Sequence, residues 1–224
     1  MKSTSDNSLG GSEFSSSSRV VDHVSSGDEK SDREKLSQRL MNISLGALGR
    51  RRLTEFQLRA SLRKKFEKKW METFLKKYSA EEIEEVMTDV MGRLKKAGYL
   101  NDADYAELFI RDVMQYRPHG SMWITVQLTK RGVDRDVIAR AFEHMREEAS
   151  TDTGAPVDAE YRAALTAAGK KLRTLEGRPL QSKQAPEETR KKYEKVFRFI
   201  CSRGFSASMA FKVLDELKVL KYDH

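Results

Sequence analysis

Three short segments constrain this chain more than any other feature. "LKKAGYLNDADYAELFI" (94–110), "LTKRGVDRDVIARAF" (128–142) and "ICSRGFSASMAFKVL" (200–214) each end one helical stripe at a glycine. An apolar residue follows, and a new stripe starts on a polar one. Gly98, Gly132 and Gly204 stand where a helix ends with a residue at positive φ, and Tyr99, Val133 and Phe205 are placed to fold back as the apolar contact of that cap. Asp102, Asp134 and Ser206 are read as the N-caps of the next helices. Superposing the last two segments matches Arg131 with Arg203, Gly132 with Gly204, Ile138 with Ala210 and Phe142 with Leu214. The chain therefore repeats a helix-turn-helix unit.

Between these signals the periodicity is helical almost throughout. A helix is expected over about 36–48. The next starts after Thr54, which has capping-box spacing to Gln57, and offers Phe56, Leu58, Leu62 and Phe66 for burial. Ser79 and Glu82 repeat that spacing before the stripe Ile83, Val86, Met87, Val90 and Leu94. Pro118, His119 and Gly120 read as a turn, Ser121 as an N-cap, and Trp123, Ile124 and Leu128 as buried positions. A linker is expected over 147–158, a helix over 159–175 and a loop over 176–188, with Pro186 in the first turn of the helix carrying Tyr193, Val196, Phe197 and Ile200. The expected organisation is a Ser-, Gly- and Asp-rich disordered tail over 1–34, then helical repeats over 35–96, 97–147 and 158–224.

Known catalytic patterns are missing. No Gly-rich phosphate loop, HExxH or CxxC occurs, and His23, His119, His144 and His224 have no ligand spacing. "NDADY" lacks the glycine and glutamate that a calcium loop needs, so helix capping by Asp102 is preferred. No catalytic residue, metal site or cofactor is expected. The single cysteine, Cys201, lies in an apolar pattern and reads as a small buried hydrophobe. With no apolar run long enough for a bilayer and no leader-like N-terminus, the expectation is a cytosolic protein away from membranes, acting as a monomer.

What the sequence does offer is basic surface. From Arg50 to Lys77, eleven basic residues, among them Arg50, Arg51, Arg52, Arg59, Arg63, Lys64 and Lys65, face only Glu55, Glu67 and Glu72. Such a field attracts polyanions or an acidic protein surface without specifying which.

"GYLNDADYAELFIRD", "HGSMWITVQLTKRGV" and "RFICSRGFSASMAFKVL", with "RRRLTEFQLRASL" upstream, resemble the RecX family of bacterial recombination regulators over about residues 40–218. Departures from the family pattern are Phe56-Gln57-Leu58, Gly120-Ser121 and Gln127. The resemblance implies an all-α protein of tandem three-helix repeats in an elongated, curved array. It further implies a non-enzymatic regulator that lies in the groove of the RecA nucleoprotein filament and represses ATP hydrolysis, strand exchange and co-protease activity, without a cofactor. Arg50, Arg51, Arg52, Arg59, Arg63, Lys64 and Lys65 are then the first candidates for contact with RecA or its single-stranded DNA, and Arg117, Lys130 and Arg131 the second. Gly98, Tyr99, Asp102, Gly120, Ile124, Leu128, Gly132, Gly204 and Phe205 are assigned to turns, caps and core. The alternative is a basic helical protein that binds DNA without sequence preference and independently of RecA. A specific major-groove reader is disfavoured, because "DRDVIARAF" and "SASMAFKVL" begin with acidic or small residues.

Overall fold

The computed structural model describes residues 26–67, 72, 76–151, 159–176 and 186–222. Among them the structure is helical: α1 Ser26–Leu48, α2 Glu55–Phe66, α3 Ala80–Lys96, α4 Asp102–Tyr116, α5 Ser121–Lys130, α6 Arg135–Thr151, α7 Ala159–Glu176, α8 Pro186–Ser202 and α9 Ala207–Tyr222. No strand occurs among the described residues.

The buried residues fall into three cores of three helices each. Leu36, Leu40, Leu58, Leu62, Met87 and Leu94 centre the first, between α1, α2 and α3. Ala106, Ile110, Ile124, Leu128 and Ile138 form the second, between α4, α5 and α6. The third joins α7, α8 and α9 through Ala164, Ala168, Val196, Ile200, Ala210 and Val213. Met114 of α4 packs against both the second and third cores. The architecture is all-α, a tandem series of three-helix units.

The glycine turns are built as their pattern predicts. Gly98, Gly132 and Gly204 have φ of 74°, 78° and 83°, conformations an L side chain enters only at a cost. At each, the amide after the glycine donates back to the carbonyl five residues earlier: Tyr99 to Leu94 (3.0 Å), Val133 to Leu128 (3.1 Å) and Phe205 to Ile200 (3.4 Å). The three accepting residues are buried in their cores, at 0–1% exposure, so each turn is pinned to its own core. Val133 and Phe205 are buried after their glycines. Tyr99 is not: it is 62% exposed, and Leu100, one residue later, fills the core instead.

Both capping boxes form, Thr54 with Gln57 and Ser79 with Glu82. Two expected caps are corrected. Asn101, not Asp102, caps α4, its side-chain Oδ1 accepting from the amides of Ala103 and Asp104. Gly120, not Ser121, occupies the N-cap of α5, and Ser121 is the first helical residue. Both displaced residues contribute at joints between units, described below. Phe56, expected to be buried with Leu58 and Leu62, is 58% exposed. Trp123, also expected in the core, is half-buried and stacks on the His119 ring at 4.0 Å.

Helix α1 begins at Ser26, inside the stretch that composition assigns to a disordered tail. Asp32 pairs within the helix with Lys35 (3.3 Å), and the early turns are also held from outside: the Asp32 carboxylate pairs with Lys77 (3.1 Å), and the Tyr78 hydroxyl donates to the Asp32 carbonyl (3.0 Å). The rest of that tail, 1–25, lies outside the described residues, as do 152–158 and 177–185 of the expected linker and loop.

Candidate partner-binding surface

The basic residues singled out by the sequence divide into paired and unpaired groups. Arg59 and Arg63 converge on one carboxylate of α3. Arg63 reaches Glu84 at 3.0 Å, while Arg59 meets Glu84 at 3.7 Å, Glu55 at 3.3 Å and the Thr88 hydroxyl at 3.3 Å. The Glu84 contact holds the Arg63 guanidinium above its ordinary value, first through the hydrogen bond and then through the charge. Burial works against the charge on Glu55, but Lys95 and Arg59 outweigh it and pull the carboxyl below its usual range. These arginines therefore tie α2 to α3.

Arg131 is also engaged. Its guanidinium lies over the Phe109 ring at 4.5 Å and donates to the Gln127 carbonyl at 2.6 Å. Arg203, its match in the next unit, does the same with Phe199 at 4.8 Å and donates to the Pro118 carbonyl at 3.2 Å. Both backbones close a joint. The Arg131 carbonyl accepts from the Thr54 hydroxyl at 2.5 Å, and the Arg203 carbonyl from the Gly120 amide at 2.9 Å.

The joints share further parts. The first amide of α2, Glu55, donates to Asp102 of α4 at 3.0 Å, and the first amide of α5, Ser121, donates to Glu160 of α7 at 2.7 Å. The second and third units thus each lend a carboxylate from the start of their first helix to an orphan amide of the preceding unit's second helix. Burial, more than any other cause, pushes the Asp102 carboxyl above its ordinary value. Space at the joints is tight. A Cβ on Gly132 would stand 2.3 Å from the Phe56 Cβ, one on Gly204 2.5 Å from the Trp123 amide nitrogen, and one on Gly120 2.2 Å from the Gly204 carbonyl oxygen. Helix α2 is therefore seated head to tail on α5, and α5 on α8. The sequence aligns Arg131 with Arg203 but carries no local signal for these contacts, whose partners are 39 to 85 residues apart.

That leaves Arg50, Arg51 and Arg52, all exposed in the turn between α1 and α2 and in no ion pair among the described residues. Lys64, Arg117 and Lys130 are also exposed, and Lys65 is half-exposed. Arg52 shares a cleft with Gly98 and Tyr99. Of the sequence candidates, only this set has charge turned to solvent without an internal partner among the described residues. No group of His, Cys, Asp and Glu fit to hold a metal occurs among the described residues, and no helix there is long and apolar enough to cross a membrane.

Residues 101–141, spanning α4, α5 and the first part of α6, match the family model for the second three-helix domain of RecX. A regulatory protein RecX of Clostridium botulinum (strain Eklund 17B / Type B) is 29% identical over 133 residues, 59% of this chain and 54% of that protein. Its counterpart in Clostridium botulinum (strain Alaska E43 / Type E3) is 31% identical over the same shares. The crystal structure of RecX from Lactobacillus salivarius superposes with a TM-score of 0.59 at 19% identity, covering 83% of this chain and 99% of that one, a likeness of fold. The chain spans about half the length of the curated relatives it matches. The second unit matches the family's own second domain, the curated relatives above bear the RecX name, and the fold is that of a solved RecX; these findings support the RecX family as the one this chain is similar to.

Proposed function

We propose that this protein is a non-enzymatic regulator that binds the RecA nucleoprotein filament and restrains its ATP hydrolysis, strand exchange and co-protease activity. The observation that carries the reading is the match of α4–α6 to the second RecX domain, together with relatives named as regulatory proteins. The unpaired arginines of the α1–α2 turn supply a means of attachment, since a filament offers both carboxylates and phosphates. A series of units joined by hydrogen bonds to backbone groups behaves as a stiff strut. Contacts of modest strength at several units add up when the strut spans neighbouring subunits, and a spanning strut opposes the subunit movements of ATP turnover.

The test is RecA ATPase on single-stranded DNA, titrated with the protein and with an Arg50→Ala, Arg51→Ala, Arg52→Ala variant. Arg59 and Arg63 are left intact because they hold α2 to α3. Substoichiometric inhibition by the wild type, weakened in the variant, is the expected result. Absence of inhibition by the wild type, with salt-sensitive binding to bare DNA, would instead favour the RecA-independent DNA-binding reading.

A further inference from the structure

A cleft of about 410 Å³ opens where the first unit meets the second, between the end of α1, the end of α3 and the start of α4. Leu45, Leu48 and Leu53 line it with Tyr99 and Tyr105, and Arg52 stands in its wall. Two of these apolar side chains are exposed although they sit together: Leu45 at 36% and Tyr99 at 62%. The Tyr99 position is itself unusual, because the residue after the glycine is buried in the two equivalent turns, as Val133 and Phe205. Here Leu100 has taken over the core, and the tyrosine is left at the cleft.

We infer that this cleft is an anchor site for one apolar side chain of an acidic peptide segment on a protein partner, with Arg50, Arg51 and Arg52 pairing the carboxylates on either side of the anchor. The volume is in the range of specific pockets, and the apolar wall with one charged group gives orientation as well as burial. Tyrosine and arginine around a recess are the residue types that concentrate binding energy at protein interfaces. Charge complementarity selects the partner. Three exposed arginines without an ion pair among the described residues stand at the α1–α2 turn, one of them in the wall, against Asp104 as the one acid of the lining. Leu45, Leu48 and Leu53 suit an apolar side chain better than a base, and the exposed Tyr99 ring is a single aromatic face where single-stranded nucleic acid stacks successive bases. Tyr105 is already stacked on Phe109, at 6.3 Å between centroids. Because the cleft has walls from two units, a bound segment would also brace the first joint.

This inference rests on the RecA reading, and the experiment separates the two. The full chain, fluorescently labelled, is titrated against RecA filaments on single-stranded DNA with a non-hydrolysable ATP analogue, and against the same DNA without RecA. Tyr99→Ala and Leu45→Glu are compared with Tyr99→Phe, all at exposed positions and all checked for wild-type helicity and thermal midpoint. The expected result is a filament affinity about tenfold weaker for Tyr99→Ala and Leu45→Glu, near wild-type affinity for Tyr99→Phe, and no difference on bare DNA. Wild-type affinity for all three variants overturns the anchor site while leaving the RecA reading intact. An equal loss on bare DNA reassigns the cleft to nucleic acid and overturns it as well. If the wild type itself fails to bind filaments, the RecA reading falls, and the anchor site with it.

Discussion

The amide of Glu55, first of α2, donates to the Oδ1 of Asp102, first of α4, at 3.0 Å, across the boundary between two units. An acceptor is needed there, but a charge is not. Burial, with the Glu55 carboxylate adding to it, pushes the Asp102 carboxyl up, while the Glu55 amide and Lys95 oppose the shift. A carboxyl raised on folding holds its proton more tightly in the native state. Its ionisation therefore costs stability at neutral pH, and that cost fades as pH falls through the raised value and is gone below the unfolded one. Asp102→Asn keeps the acceptor and is expected to match or exceed the wild type in urea at pH 7, with its advantage shrinking towards pH 4. Asp102→Ala strands the amide and is expected to cost about 1–2 kcal/mol. A loss from Asn as large as that from Ala would show that the charge is required.

The three positive-φ glycines are predicted to differ in tolerance. Alanine at Gly98 meets open space and pays only for its backbone conformation, about 1–2 kcal/mol. At Gly132 and Gly204 the added carbon also enters the joint, against the Phe56 Cβ and the Trp123 backbone, neither of which a rotamer change can move away. Overpacking of this kind is expected to add about 1–3 kcal/mol. Thermal denaturation of the three single variants checks the order, with Gly204→Ala no better tolerated than Gly132→Ala. Equal midpoints for all three would remove the joints from the account.

These joints mark the limit of what the sequence discloses. Gly98, Gly132 and Gly204 were legible because a helix end is a local event: a stripe stops, a glycine follows and an apolar residue folds back. Thr54 and Ser79 were legible as caps because their reciprocal partners lie three residues on. Asn101 and Asp102 are adjacent and chemically alike, and what separates them is Glu55, 47 residues away. Phe56 fits a core stripe by periodicity, yet its Cβ abuts Gly132 of the next unit. The early start of α1 depends on Lys77 and Tyr78 in the same non-local way. Among the candidate contact residues, charge was legible but engagement was not, since Arg59, Arg63 and Arg131 find their partners through tertiary packing.

That division among the arginines makes a separable prediction. Arg59 is half-buried between Glu55, Glu84 and Thr88, so Arg59→Ala is expected to lower stability by up to about 1 kcal/mol, as partly exposed ion pairs do. Arg51→Ala and Arg52→Ala are expected to leave the denaturation curve unchanged and to weaken filament binding, more so at low salt. Circular dichroism melts and filament titrations on the same samples distinguish the two classes. A stability loss at Arg51 equal to that at Arg59 would show that the exposed turn is structurally engaged.

Lys192 of α8 is 8% exposed, and its Nζ is buried without a hydrogen-bond partner among the described residues. Burying an ammonium without a partner costs free energy that the four-carbon stem only partly offsets by its packing. Methionine keeps the length of that stem and removes the desolvated charge. Lys192→Met is therefore expected to stabilise the protein by about 1 kcal/mol or more in urea, with the m-value unchanged. Lys192→Ala leaves a void in its place and is expected to gain less or to lose. If methionine destabilises instead, the ammonium has a partner in solution, and binding assays with the variant would show whether that partner is also the regulated one.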